Sequence, residues 1–66
     1  MLTEQEIMNN AFKEMQFHED GMAKKYASMS AQINDPKLKQ MLKGMEQGAR
    51  NGYSTLTQAM SKFSIV

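Results

Sequence analysis

The stretch Ile33-Asn34-Asp35-Pro36 lies near the midpoint of the 66-residue chain, and Pro36 is the only proline. Proline lacks the amide hydrogen that a helix interior needs, and it disfavours helical conformation in the residue before it, so a helix running through Asp35 is not expected. Asp35 is suited to cap the N-terminus of a new helix, with Pro36 as its first residue. Because helix-periodic segments flank this turn on both sides, the stretch predicts a helical hairpin.

The start of the first helix has its own signal. Thr3-Glu4-Gln5-Glu6 matches a capping box, in which Thr3 caps the helix and Glu6 reaches back to the cap residue. Few β-branched residues occur, and no segment alternates between polar and apolar residues with period two, so no strand is expected. The predicted fold is all-α, in one domain over residues 1–66, with helix 1 at about 4–33, the turn at 34–35 and helix 2 at about 36–63.

Apolar residues recur at spacings of three and four along both predicted helices, which places them on one seam of each helix. Further apolar residues flank both seams, and the combined stripe is wider than a contact between two helices requires. We therefore predict an antiparallel hairpin that dimerises into a four-helix bundle. The residues predicted to pack in these contacts are Met8, Phe12, Met15, Met22, Tyr26, Met45, Gly48, Ala49, Gly52, Leu56 and Met60.

Glycines at positions 44, 48 and 52 form a stripe along helix 2. Three glycines inside a helix cost on the order of 3 kcal/mol in helix propensity. We expect the close approach of another helix to offset this cost.

One polar residue, Glu19, interrupts the seam of helix 1. Arg50 is predicted to lie at the same height on helix 2, and a buried carboxylate needs a cation or hydrogen bonds. We predict a Glu19–Arg50 polar layer that fixes the register and the oligomeric state of the bundle.

Glu14, His18 and Glu19 are the candidate metal ligands. Carboxylate-bridged di-iron bundles take Glu-x-x-His from two helices, whereas this chain has Glu-x-x-x-His and offers only Glu46 on helix 2. We therefore predict no metal and no cofactor. The eight methionines are interpreted as packing residues, because most of them lie on the seams.

Composition and charge exclude several classes of function. The net charge of +1 gives no footprint for nucleic acid, and no apolar run approaches the ~20 residues that span a bilayer. The first residues lack the basic start of a signal peptide, which predicts an intracellular protein. No nucleophile elbow or phosphate-binding loop is present, so no enzymatic activity is predicted.

Several segments resemble the short members of the coat F family of bacterial spore-coat proteins. They are Glu6-Ile7-Met8-Asn9-Asn10-Ala11-Phe12, Tyr26, the turn Ile33-Asn34-Asp35-Pro36 with Leu38 after it, and Leu56 with Met60. The resemblance implies a ferritin-like helical arrangement without a di-iron site, a location in the spore coat and other coat proteins as partners. Family members often end in a Gly-Trp-Tyr-like tail, whereas this chain ends Lys62-Phe63-Ser64-Ile65-Val66.

The sequence therefore predicts a non-enzymatic structural or assembly protein, similar to a spore-coat component, that acts through helix–helix self-association as a homodimer. Two alternatives stay open. One is a small regulatory module that presents a helix face to a partner protein; the hairpin phosphatases of sporulation are of this class, but their Ser-Gln-Glu-Leu-Asp signature is missing here. The other is a vestigial ferritin-like metal binder that uses Glu14, His18 and Glu19.

Overall fold

Two long helices form the protein in the computed structural model, which describes residues 1–66. Helix α1 spans Glu4–Gln32 and helix α2 spans Pro36–Lys62, with no strand. Each helix ends one residue earlier than predicted, because the cap residues Ile33 (ψ 140°) and Phe63 (ψ 14°) leave the helical conformation. The predicted all-α arrangement of two packed helices is confirmed.

Both helix N-termini are capped as predicted. The Thr3 hydroxyl accepts a hydrogen bond from the Glu6 amide at 3.1 Å, and the Glu6 carboxylate accepts one from the Thr3 amide at 3.1 Å. The Asp35 carboxylate accepts from the amides of Lys37 at 2.8 Å and Leu38 at 3.1 Å. These bonds satisfy amides that have no partner within the helices and so define where each helix begins.

The line along which α1 contacts α2 differs from the predicted seam. Phe12, Glu19, Tyr26 and Ile33 lie on this line as predicted. The positions between them are Asn9, Gln16, Ala23 and Ser30, whereas the predicted packing residues Met8, Met15 and Met22 lie one position earlier in the sequence. Three of the four intervening residues are polar, so the hairpin contact is rotated from the methionines towards a line of smaller and polar side chains.

On α2 the contact is centred on Leu42, Ala49 and Leu56, which recur every seven residues. Leu42 and Ala49 are buried, whereas Leu56 is half-buried. The apolar core of the hairpin consists of Ala23, Leu42, Ala49 and Ile65. Since two of these four are alanines, the two helices by themselves enclose little apolar volume.

The C-terminal tail closes the open end of the hairpin. The Ile65 amide donates to the Met60 carbonyl at 2.8 Å and the Ser64 amide to the Ser61 carbonyl at 3.5 Å, which is the pattern of a Schellman cap. Ile65 is buried, and the Val66 amide donates to the Asn9 side chain at 3.2 Å. The tail thus joins the end of α2 to the first turns of α1.

The hairpin is a flat layer one helix thick. The Cα atoms extend over 50 × 22 × 11 Å, so the molecule has two broad faces and little interior. Neither helix has an apolar stretch of the length and hydropathy that crossing a membrane requires.

Candidate functional site: an open methionine face

One broad face of the hairpin carries a line of methionines. Met8, Met15, Met22 and Met29 recur every seven residues, so they run along one edge of α1, one position before the residues that contact α2. Leu38, Met41 and Met45 lie on the adjoining edge of α2. We call these seven residues the methionine face. Met8 and Met22 are half-buried, and the other five are 41% to 55% exposed.

A groove shows that these two edges belong to the same side of the hairpin. It has a volume of about 590 Å³ and lies between Met15 and His18 of α1 and Gly52 and Thr55 of α2. Met8 and Met22 are each seven residues from Met15, and Met29 is fourteen residues from it. On α2, Gly52 comes seven residues after Met45. The helical repeat therefore places all seven residues of the methionine face on the side of the hairpin where this groove opens.

Small residues continue the α2 edge beyond the methionines. The edge carries large side chains near the turn and then, towards the open end, four small residues, which we call the small-residue strip: Gly48, Gly52, Thr55 and Ala59. A Cβ atom added at Gly48 would meet no atom within 4 Å, and the groove lies over Gly52 and Thr55. The close approach predicted for the glycine stripe is therefore not made by α1 at Gly44 or Gly48, where no atom is near.

The opposite broad face is polar. Gln16 donates a hydrogen bond to Thr57 across the two helices at 3.0 Å. An ion pair between Arg50 and Glu46 lies along this face at 2.8 Å, and a smaller groove of about 330 Å³ is lined by Asp20, Arg50 and Tyr53 among others. This face also exposes two aromatic residues, Tyr53 and Phe17, whereas the methionine face carries the continuous line of aliphatic side chains.

The predicted ion pair between Glu19 and Arg50 is not formed. Both side chains border the smaller groove, but Arg50 binds Glu46 one turn away on its own helix. An i, i+4 pair within one helix holds its partners at the right spacing without any tertiary contact. The Glu19 carboxylate lies over Gly52 instead, where its Oε2 atom would be 2.8 Å from an added Cβ. The absence of a side chain at Gly52 therefore provides the space for Glu19.

The three candidate metal ligands share one location. Glu14, His18 and Glu19 all line the groove of the methionine face. They do not come together as a site, since no group of three acidic, histidine or cysteine side chains is close enough to hold a metal ion. Glu14 and His18 are one turn apart on α1, and Glu19 turns towards α2.

Sequence reasoning missed the contacts at the open end. Gln5 donates to the Asn9 side chain at 2.9 Å and to the Ser64 carbonyl at 3.4 Å, and Asn9 also receives the Val66 amide. The spacing of Gln5 and Asn9 signals a pair on one helix face. Nothing in the local sequence signals their contact with the tail, because it depends on where the second helix ends.

Comparison with known proteins gave no match in any of three searches, against protein-family models, curated proteins and solved structures. The similarity to the coat F family therefore stays a prediction from the sequence, and the surface of the hairpin is the basis for the functional argument.

Proposed function

We propose that this chain is a structural or assembly protein, without enzymatic activity, that acts through self-association of its helices. Two hairpins pair through their methionine faces and form a homodimeric four-helix bundle. The observation that carries the proposal is the open methionine face itself, which borders a groove and carries five aliphatic side chains that are 41% to 55% exposed. Contiguous exposed apolar patches of several hundred Å² mark interaction sites in soluble proteins, and this line of neighbouring side chains is a candidate for one.

Surface area supports pairing. The hairpin exposes 5092 Å². A compact folded monomer of its 7.5 kDa mass is expected to expose about 4,200 Å² by the usual scaling of area with mass. The excess is close to the roughly 800 Å² that each partner buries in a standard protein interface. Burial of one broad face would therefore bring the exposed area per chain close to that expected of a compact monomer of the same mass.

Methionine suits such a surface. Its unbranched, polarizable side chain adapts to irregular neighbours, so a face rich in methionine packs against another copy without strict shape matching. Burial of a methionine side chain contributes about 1.5–3 kcal/mol relative to full exposure. Even partial burial of the five exposed members on each copy would offset a substantial part of the cost of association.

The biological setting that we propose is the bacterial spore coat, with other coat proteins as further partners and an intracellular origin. The support for this setting is the resemblance of the capping segment, the central turn and the spaced apolar residues to short coat F proteins. Fluorescent tagging in sporulating cells tests it. A signal confined to vegetative cytosol would contradict the setting while leaving self-association untouched.

Light scattering over a range of protein concentrations tests self-association. We expect a mass of twice 7.5 kDa, with dissociation on dilution and full helicity by circular dichroism in the dimer. A fully helical monomer at every concentration would overturn the proposal and favour a regulatory module that offers the same face to another protein.

A further inference from the structure

We infer that the second copy docks antiparallel. The twofold axis lies between the two methionine faces and passes α2 level with the midpoint between Gly48 and Gly52. This inference rests on the proposed self-association and specifies its geometry. The axis runs perpendicular to the helices, so α2 packs on the partner's α2 and α1 on the partner's α1. The two turns then lie at opposite ends of the bundle.

The distribution of side-chain size along the edge of α2 carries the inference. On this edge the half nearer the turn carries Leu38, Met41 and Met45, whereas the other half carries the small-residue strip, with Leu56 of the hairpin contact beside it at the groove. The proposed axis places Met45 against the partner's Thr55 and Met41 against the partner's Ala59. Each large side chain then enters the space beside a small one, as close packing requires.

A parallel arrangement lacks this complementarity. In a parallel dimer, α2 of one copy would cover α1 of the other. Met41 and Met45 would then lie on the partner's α1 methionines near the turn, large side chains against large ones. The grooves of about 590 Å³ would face each other at the other end and leave a space without packing partners. Unfilled apolar space of this kind costs stability in proportion to its volume.

The antiparallel arrangement also fills the groove. Residues of α1 at equal distances on either side of the axis exchange positions. The partner's Met29 then lies over the groove beside Met15, and the two copies of Met22 meet near the axis. At the rim, the partner's Lys25 comes level with His18, about one turn from Glu14. An exposed lysine–glutamate pair contributes at most ~1 kcal/mol and is screened by salt, so it favours the orientation without determining it.

Disulfide trapping tests the orientation and the register, and the chain contains no cysteine that would interfere. The double variant Met45→Cys/Thr55→Cys has its two thiols ten residues apart on one helix, about 15 Å along the axis, so they cannot bond within one chain. We expect the double variant to form a covalent dimer under mild oxidation. The single variants Met45→Cys and Thr55→Cys should stay monomeric on a non-reducing gel.

The pair Met41→Cys/Ala59→Cys tests the same axis at a second position and should also form a covalent dimer. The pair Met41→Cys/Thr55→Cys is the matched control, because one turn of offset moves its thiols about 6 Å further apart. Equal cross-linking of this control would overturn the register.

Scattering on the reduced variants separates the inference from the proposed function. If the variants are dimers and neither matched pair forms a disulfide, the antiparallel geometry is wrong and self-association stands. If the unmodified chain is a helical monomer, both the proposed self-association and the antiparallel geometry that rests on it are wrong. Circular dichroism on each reduced variant confirms that the helices are intact.

Discussion

At the scale of single residues, Ser64 holds a backbone conformation that suits glycine. It is the one residue other than glycine with a positive φ, at 55°, and it occupies the position of the Schellman cap where glycine is usual. A left-handed conformation costs a residue with a side chain roughly 1 kcal/mol. The buried Ile65 and the two cap hydrogen bonds offset this cost.

Ser64→Gly should therefore stabilise the protein by about 1 kcal/mol, because glycine adopts positive φ without strain. Chemical denaturation at a fixed protein concentration measures the change. Ser61→Gly is the matched control: it lies inside α2 and should destabilise the protein by about 0.5 kcal/mol through lower helix propensity. Equal effects of the two substitutions would show that the cap conformation carries no strain.

Gly52 and Glu19 form a second residue-scale unit. Gly44→Ala should stabilise α2 by about 1 kcal/mol, since the added Cβ meets no atom within 4 Å. Gly52→Ala should raise the free energy of unfolding by less, because its Cβ would lie 2.8 Å from Glu19 Oε2 and the carboxylate must move. The denaturation midpoints of the two variants, at one protein concentration, make the comparison.

A double-mutant cycle isolates this contact. In a Glu19→Ala background, Gly52→Ala should stabilise the protein by as much as Gly44→Ala does. The stabilisation by Gly44→Ala should be the same with and without the Glu19→Ala substitution. Any effect of Gly52→Ala on docking enters both backgrounds and cancels. An unchanged gain at position 52 would mean that Glu19 moves aside at no cost.

At the scale of elements, the two helices begin by different devices. α1 uses the reciprocal hydrogen bonds of Thr3 and Glu6, whereas α2 combines the Asp35 cap with Pro36, whose fixed φ suits the first helical position. The residue that ends the turn is thus the residue that starts α2. This arrangement keeps the connection short and forces the two helices to lie side by side.

Asp35→Ala should destabilise the protein by about 1 kcal/mol, because the amides of Lys37 and Leu38 lose their acceptor. Thermal or chemical unfolding followed by circular dichroism measures the loss. Asn34→Ala is the control, since the Asn34 side chain is exposed and should tolerate truncation within ~0.5 kcal/mol. A smaller loss at Asp35 than at Asn34 would contradict its role as the cap.

At the scale of the whole molecule, a layer one helix thick can bury few side chains. Five of the 66 residues are buried, and Leu42 and Ile65 are the only large apolar side chains among them. Domains of this size are marginal without disulfides, metals or association, and the chain has no cysteine. Pairing through the methionine face would convert the two exposed edges into a core.

Met45→Glu should weaken the dimer more than tenfold, because the single interface would bury two unpaired carboxylates, one from each copy, at a cost of at least ~2 kcal/mol. Sedimentation or light scattering over a dilution series measures the dissociation constant. Gln47→Glu introduces the same charge on the outer side of α2 and should change dimerisation little. Equal weakening by both variants would point to net charge and exclude the methionine face as the interface.

Local sequence signals predicted the elements correctly. The capping box at Thr3, the cap at Asp35 and the break before Pro36 act within a few residues, so their consequences can be read without the rest of the chain. The contact line on α1 could not be read in this way. Apolar periodicity favoured the line of Met8, Met15 and Met22, whereas the contact with α2 uses the line of Asn9, Gln16, Ala23 and Ser30, of which only Ala23 is apolar.

The turn at Asn34-Asp35-Pro36 and the two helix starts were determined by the sequence alone, because capping and proline geometry are properties of neighbouring residues. Only the tertiary structure decided which edge of α1 meets α2, that Arg50 binds Glu46, and that the tail closes over Asn9. These outcomes depend on how two long helices rotate about their axes when they pack. That rotation is a collective balance of many contacts, and it is what leaves the methionines uncovered.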